Sequence, residues 1–407
     1  MRGAAPDLAL VAGETSGDLL AAVVLKGLRD RHPDWVTAGI GGPAMRAQGF
    51  QPWWSSEKLA VRGYVEVLRH YREIVGIRNH LQARLLEQPP RLFMGVDAPD
   101  FNLKLEQALT SRGVPVVHFV CPSIWAWRPE RIHQLKASTD HVLCIFPFEP
   151  ELLTQAGISA TYVGHPLAPH IPMVPDQLAA RAGLGLPAAA DVVALLPGSR
   201  ASEIKYLLPR FLASAALLRK AKPAIHFVLP ALPALRAEID RMVGCSGLGA
   251  AITVVNGQSH AVLAACDVTL IASGTATLEA ALFKRPMVIA YNMHMLSWLI
   301  MRRKKMQPWV GLPNILCREF VVPELLQDRA TPAALAAEVL AWLESPERVA
   351  TLKQRFTVLH ETLLRDTVGL ACDVIERLMA PRQMAHADLA LSVEADTAPI
   401  NHPKANS

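Results

Sequence analysis

Short runs that are apolar on both faces, each followed by a stretch of helical length, recur along most of the chain, and this alternation restricts its fold more than any other feature. In the first half LALVA precedes residues 16–31, RLFMGV precedes 101–112, VPVVHFV precedes 129–138 and HVLCIF precedes 149–156. A strand with two apolar faces must be covered on both, which calls for a parallel sheet between layers of helices, the doubly wound α/β arrangement. From 164 to 187 the rhythm lapses in a stretch carrying Pro166, Pro169, Pro172 and Pro175, and punctuation of this kind marks a linker. It resumes with DVVALLPG ahead of 199–220, then AIHFVLP, AAITVVNG, CDVTLIASG ahead of 275–283, and RPMVIAY. The expectation is two Rossmann-like domains, residues 1–165 and 188–345, facing each other across a cleft, joined by a linker at 166–187 and followed by C-terminal helices at 346–380. Residues 381–407 hold few large apolar side chains and are expected to be disordered.

Composition supports large cores and narrows the class. Of 407 residues, 51% are apolar and 19% charged, which excludes an intrinsically disordered chain. The net charge of +5 comes without a polyelectrolyte block. No nucleic-acid partner is expected, while attraction to anionic lipid or phosphorylated substrates is permitted. Cys121, Cys144, Cys245, Cys266, Cys317 and Cys372 form no C-x-x-C pair, so reduced thiols are expected rather than a metal site. Residues 1–7 run straight into an apolar strand without the pattern of an export signal, which points to a cytoplasmic protein. The longest apolar stretch, Pro286 to Met301, spans 16 residues interrupted by Asn292, His294 and Ser297, short of the ~20 that a membrane span needs.

Four turns carry the chemistry. In VAGETSGD the strand ends at Gly13, Thr15 is expected to cap the next helix with Asp18 three residues on, and Gly17 to let a ligand approach its first turn. GVDAPDFN puts Asp97 and Asp100 just beyond a buried strand, on the edge where open α/β sheets bind ligands. Either carboxylate suits a general base. Asp100 is expected to cap the helix that starts near Phe101, whereas Asp97, ahead of Pro99, has no capping duty. In LLPGSRASEI, Ser199 is expected to cap a helix with Arg200 in its first turn, where a cation meets the positive end of the dipole and needs an anion. A diphosphate meets that need, and so would Glu203 on the same turn. ASGTATLE repeats strand, small-residue turn (Ser273, Gly274, Thr275) and helix, with Glu279 expected in the first turn, either to accept ribose hydroxyls or merely to suit the dipole.

Two segments have the pattern of a bilayer surface. Between Val61 and Leu85, apolar residues including Leu68 and Ile74 are interleaved with five arginines, and the stretch around Trp298 runs into Arg302, Arg303, Lys304 and Lys305. Both suit an anionic membrane, and both have an amphipathic core helix as the alternative. His118, His165 and His294 show no ligand spacing and are expected in core or hinge roles.

The strings VAGETSGD, GIGGPAM, GVDAPDFN, PSIWAWRPERI, FPFE, VGHP, LLPGSRASEI, ASGTATLE and GLPNIL occur in this order, and together they closely resemble the lipid-A-disaccharide synthases over about Leu8 to Met379. The resemblance implies a GT-B glycosyltransferase acting on UDP-2,3-diacylglucosamine and 2,3-diacylglucosamine 1-phosphate. The sugar passes to the 6-hydroxyl of the acceptor with inversion, giving the β-1′,6-linked tetraacyl disaccharide 1-phosphate and UDP. It implies Asp97 as base, with Gly198, Ser199, Arg200, Ser273, Gly274 and Thr275 around the departing UDP, Glu279 on its ribose and Asn314 completing the nucleotide site. The acceptor is expected against Gly13, Glu14, Ser16 and Gly17, with Asp100 and Trp127. No metal or cofactor is implied. The enzyme is expected to sit peripherally on the cytoplasmic face of the inner membrane, with a homodimer as a possibility and its C-terminal helices packed on another part of the assembly. The competing readings are a UDP-sugar epimerase, a UDP-sugar transferase with a soluble acceptor, and a two-domain binding protein without catalysis.

Overall fold

The computed structural model describes residues 5–59, 64–126, 128–292 and 307–380. The two stretches of alternation form two parallel sheets. The first holds β1 (Leu8–Ala12), β2 (Thr37–Gly41), β3 (Gln51–Ser55), β4 (Leu92–Val96), β5 (Val116–Phe119), β6 (His141–Cys144) and β7 (Ala160–Tyr162), in the order β3-β2-β1-β4-β5-β6-β7. The second holds β8 (Val192–Leu196), β9 (His226–Ala231), β10 (Ile252–Asn256), β11 (Val268–Ala272), β12 (Met287–Tyr291) and β13 (Glu324–Leu326), in the order β10-β9-β8-β11-β12-β13. Every residue of β1, β4, β8 and β11 is buried, as strands covered on both faces require. Each such Leu or Val contributes ~1.5–3 kcal/mol. Gly39 lets β2 lie against β1: its φ is +143° and a Cβ there would stand 2.1 Å from the Leu10 carbonyl oxygen.

Each strand order reverses once, between β1 and β4 in the first sheet and between β8 and β11 in the second. At such a point the connections leave in opposite directions and open a crevice beyond the strand C-termini. On the first sheet the helices that matter to the site are α1 (Thr15–Arg31), α2 (Pro43–Ala47), α3 (Tyr64–Glu87) and α4 (Pro99–Thr110).

The C-terminal helices bind both halves of their own chain. Trp342, on the helix Pro332–Leu343, is buried and donates from Nε1 to the Met287 carbonyl at 3.2 Å. The helix Pro346–Leu363 packs on the helix Thr275–Leu282 and ends against the first half, where the Tyr162 hydroxyl donates to Thr362 O at 2.7 Å and His165 N to Leu363 O at 2.9 Å. The last helix, Thr367–Met379, lies on α1. There Arg31 pairs with Asp373 at 2.7 Å and Glu376 at 3.2 Å, and a Cβ on Gly27 would stand 2.1 Å from Val368. Residues 381–407, expected to be disordered, lie outside the described residues.

Candidate active site

The strand order brings the four turns into two groups. Gly13 and Glu14 follow β1 and Asp97 follows β4, so they flank the crevice of the first sheet. Asp97 and Ala98 are consecutive non-glycine residues in the left-handed region, with φ of 52° and 45°. Asp tolerates that region through local hydrogen bonding and Ala does not, so the turn stores strain of ~1–3 kcal/mol per residue. It is held by Asp97 N donating to Phe119 O at 2.9 Å and by Asn102 Nδ2 donating to Asp97 O at 2.8 Å.

Three expectations on this edge are corrected. Asp100 does not cap α4: the N-cap is Ala98, and the Asp100 carboxylate, 82% exposed, pairs with Arg131 and, at 3.7 Å, with Arg128. Asp18 does not serve its own helix, whose N-cap is Glu14. It is buried and takes the N–H groups of Gly42, Ala44 and Met45 at 2.7, 2.9 and 3.1 Å, capping α2 instead. This explains GIGGPAM, since a Cβ on Gly42 would stand 2.5 Å from Asp18 Oδ2. Gly17 is buried against Ala12 and the Val96 carbonyl, so it packs α1 on the sheet and no ligand reaches it. Ser16 is exposed beside it, and Trp127 lies outside the described residues.

On the second sheet Gly198 to Arg200 follow β8 and Ser273 to Thr275 follow β11, again flanking the crevice. The N-cap of the helix Ala201–Ala221 is Arg200, not Ser199, because Glu203 reaches back over the turn. Its Oε2 accepts from Ser199 N at 2.9 Å and Arg200 N at 3.2 Å, and its Oε1 pairs with the Arg200 guanidinium at 3.2 Å. The same-turn salt bridge therefore forms, with Arg200 still 59% exposed. Gly198, at φ +116°, admits that carboxylate, since a Cβ would meet Glu203 Oε2 at 2.2 Å. In the other turn Ser273 N donates to Ala290 O at 3.1 Å, while Gly274 and Thr275 are exposed and Gly274 has open space around it.

Glu279 is the fifth residue of the helix Thr275–Leu282 and so lies in its second turn, ~6 Å along the axis from the start. Its carboxylate pairs with His260 at 3.4 Å and raises that imidazole's pKa. Asn314 is 0% exposed. Its Nδ2 donates to Val322 O at 2.9 Å and Glu324 Oε1 at 2.8 Å, and its Oδ1 accepts from Val321 N at 2.9 Å and Val322 N at 3.0 Å. All four hydrogen-bonding positions of the amide are used within the chain, so Asn314 shapes the loop rather than touching a ligand. Glu324 ties that loop to the crevice by accepting from Val310 N and Gly311 N, at 2.9 and 2.8 Å. The Ser273 hydroxyl donates to Val310 O at 3.4 Å.

The surface segments divide. Ile74 is half-buried against the core cluster that holds Ile77, Leu81 and Leu85, which corrects its expected membrane-facing role: this stripe of α3 covers the first sheet. The side chain of Leu68, and Trp298, Arg302, Arg303, Lys304 and Lys305, lie outside what is described. Between the two halves a cavity of about 510 Å³ is lined by Trp125, Phe148 and Leu152 with Glu151 and Gln155 on one side and by Pro308, Trp309 and Ile315 with Gln307 and Arg318 on the other. Gln307 Nε2 donates across it to Trp125 O at 2.9 Å. Among the described residues no helix is long and apolar enough to cross a membrane, and no group of three or more His, Cys, Asp or Glu side chains is placed to hold a metal ion.

A family model described as lipid-A-disaccharide synthetase matches residues 8–370. The chain belongs to that family. It is 62% identical over 377 residues to a lipid-A-disaccharide synthase of Albidiferax ferrireducens, covering 91% of this chain and 97% of the relative. It is 59% identical over 378 residues to one of Verminephrobacter eiseniae, covering 92% and 97%. Among solved structures the glycotransferase of kitacinnamycin superimposes with a TM-score of 0.59 at 18% identity, over 91% of this chain and 98% of that one. The MurG protein of Acinetobacter baumannii does so at 0.56 and 12%, over 91% and 99%. At such identities these likenesses speak for the fold alone, two Rossmann-like halves of the GT-B kind.

Burial gives weight to residues that sequence reasoning passed over, as with Glu149, or placed only in a core or hinge role, as with His165. Glu149 of FPFE is buried, accepts from Trp125 Nε1 at 3.0 Å and Phe146 N at 3.1 Å, and is pushed up to about 8 by burial against the lowering effect of those bonds. His165 of VGHP is buried beside Phe146, and burial pushes it down to about 4. PSIWAW, FPFE and VGHP thus converge on one aromatic cluster beneath the cleft, a convergence that spacing along the chain does not reveal. Tyr291, at the end of β12, is raised by burial and by Glu203 against Arg200.

Proposed function

We propose that this chain is a lipid-A-disaccharide synthase, transferring 2,3-diacylglucosamine from UDP to the 6-hydroxyl of 2,3-diacylglucosamine 1-phosphate with inversion. The observation that carries the reading is the pairing of crevices: a strained carboxylate turn at the reversal of one sheet, and two glycine turns with an exposed arginine at the reversal of the other. Asp97 takes the proton of the acceptor hydroxyl as its oxygen attacks the anomeric carbon. The bond to the diphosphate breaks on the opposite face, and its charge develops against Arg200 and the N–H groups of Ser199 and Arg200. Glu203 holds those donors in the free chain and gives them up to the diphosphate. Thr275 and Gly274 face the nucleotide, Glu279 with His260 takes the ribose, and Asn314 with Glu324 keeps the adjoining loop in place. Gly13, Glu14 and Ser16 border the acceptor, and the aromatic and aliphatic part of the cavity between the halves suits an acyl chain.

Incubation with both lipid substrates, followed by mass spectrometry, should show the tetraacyl disaccharide 1-phosphate and UDP. Asp97→Asn keeps the shape and removes the basicity, so kcat should fall ~10²–10⁴-fold with UDP affinity retained. Turnover near wild type in that variant would remove Asp97 from the role.

We also propose that the chain works peripherally on the inner membrane, with Arg302, Arg303, Lys304 and Lys305 adding up to ~1 kcal/mol each against anionic lipid. Replacing the four by Ser should lower co-sedimentation with anionic vesicles and make the remainder insensitive to salt. A wild-type chain that stays in the supernatant at low salt contradicts this.

A further inference from the structure

We propose that Glu106 and His118, a carboxylate and imidazole sealed beneath the turn from β4 to α4, are positioning residues that hold Asp97 ionised and aimed at the acceptor. The inference rests on Asp97 as the base.

Both side chains are 0% exposed, and His118 Nδ1 lies 2.7 Å from Glu106 Oε1. A buried ion pair is a poor device for stability, because desolvation of two charges offsets most of their attraction and apolar residues of similar size often do as well. Its presence calls for another explanation, and its place supplies one. In the sheet register His118 on β5 stands opposite Gly95 on β4, two residues before Asp97. Glu106 reaches over from α4, where a Cβ on Gly95 would stand 1.9 Å from its Oε1. One turn earlier on α4, Asn102 grips the Asp97 carbonyl at 2.8 Å. Asn102 Oδ1, Glu106 Oε2 and His118 Nε2 are buried in this one locality without a hydrogen-bond partner among the described residues, which marks it as polar beyond what packing needs. Strain gathers there too, since Val120, a β-branched residue just past β5, has φ +78° beside the left-handed Asp97 and Ala98.

The charges work together. Burial opposes the imidazolium, but Glu106, through charge and hydrogen bond, and then Asp97 outweigh it and hold the His118 pKa above its ordinary value. Such coupling is reciprocal: if the Asp97 anion favours the imidazolium, the imidazolium favours the Asp97 anion to the same degree. The other charged groups on this edge are Asp100 with Arg128 and Arg131, and Glu14 at the start of α1. On its other side β5 presents apolar Val142 of β6 to His118.

The coupling is measured without turnover by following the His118 imidazole by ¹⁵N NMR across pH in wild type and Asp97→Asn. The midpoint should fall by about half a unit or more in the variant, and an unchanged midpoint overturns the proposal. Kinetics give the second arm. In His118→Gln and Glu106→Gln, kcat should fall about tenfold to a hundredfold with KM unchanged. In His118→Gln the acid limb of the rate profile should also move to higher pH, because Asp97 has lost a cation coupled to it. Folded variants with wild-type kcat and pH profile refute the positioning role, and where they do not fold the NMR arm decides. A normally active Asp97→Asn would instead refute Asp97 as base, so the two failures are told apart.

Discussion

Asn314→Asp alters one atom of a saturated site, and its effect can be worked out in advance. Oδ1 keeps the N–H groups of Val321 and Val322, but an oxygen replaces the nitrogen that stands 2.8 Å from Glu324 Oε1 and 2.9 Å from Val322 O. Two donated bonds, worth ~0.5–1.5 kcal/mol each, become contacts between acceptors. The new carboxylate is also a buried charge facing a carboxylate, and an uncompensated buried charge costs about 3–5 kcal/mol. The loss in unfolding free energy at pH 7 should therefore reach at least ~3 kcal/mol. Its pH dependence identifies the cause. Burial and Glu324 raise the folded-state pKa of the new Asp above the ~3.9 of an unfolded chain, so the folded state binds more protons and the deficit shrinks as pH falls. Urea unfolding at pH 7 and pH 5 measures this, with Asn314→Ala as the control that loses the bonds without gaining a charge. UDP affinity should fall in both variants, because the loop at Val310 and Gly311 loses part of its anchor. A variant that unfolds at the wild-type midpoint at pH 7, or keeps the same deficit at pH 5, would refute the reasoning.

Two further outcomes follow from the sites. Arg200→Ala should weaken UDP binding by ~1.5–3 kcal/mol, the worth of a charge-assisted contact, and unchanged calorimetric affinity would leave the guanidinium as the salt-bridge partner of Glu203. Glu149 and two histidines should shape stability against pH in opposite senses. Glu149, raised to about 8, keeps in the folded state a proton that the unfolded chain has lost, so its contribution falls as pH rises from its ordinary 4.5 through 8. His141 and His165, lowered to about 4 by burial, take up protons only on unfolding, so theirs is lost as pH falls below 6.5. Of these three groups Glu149 dominates above about pH 7.5, where unfolded histidines are largely neutral, and urea titrations between there and pH 8 should show a falling slope that Glu149→Gln removes.

The legible parts of this protein are those whose signals are local. A strand covered on both faces has to be a continuous apolar run, and β1, β4, β8 and β11 announce themselves that way. A glycine turn between strand and helix is equally visible, as at Gly13, Gly198 and Gly274, and Asp97 stands out as a carboxylate between strand and helix without a helix to cap. Contacts between distant segments are not written locally. Asp18 has the spacing of a capping box in its own helix, yet its carboxylate goes to backbone N–H groups more than twenty residues away, because α2 packs there and has no cap of its own. Asn314 looks like a ligand contact until Glu324 and the N–H groups of Val321 and Val322 come within reach. The sequence by itself determined the elements and the chemistry at their ends. Strand order, set by how the sheets reverse at β1/β4 and β8/β11, decided which ends meet at a crevice, and burial decided which polar groups were already satisfied before any ligand arrived.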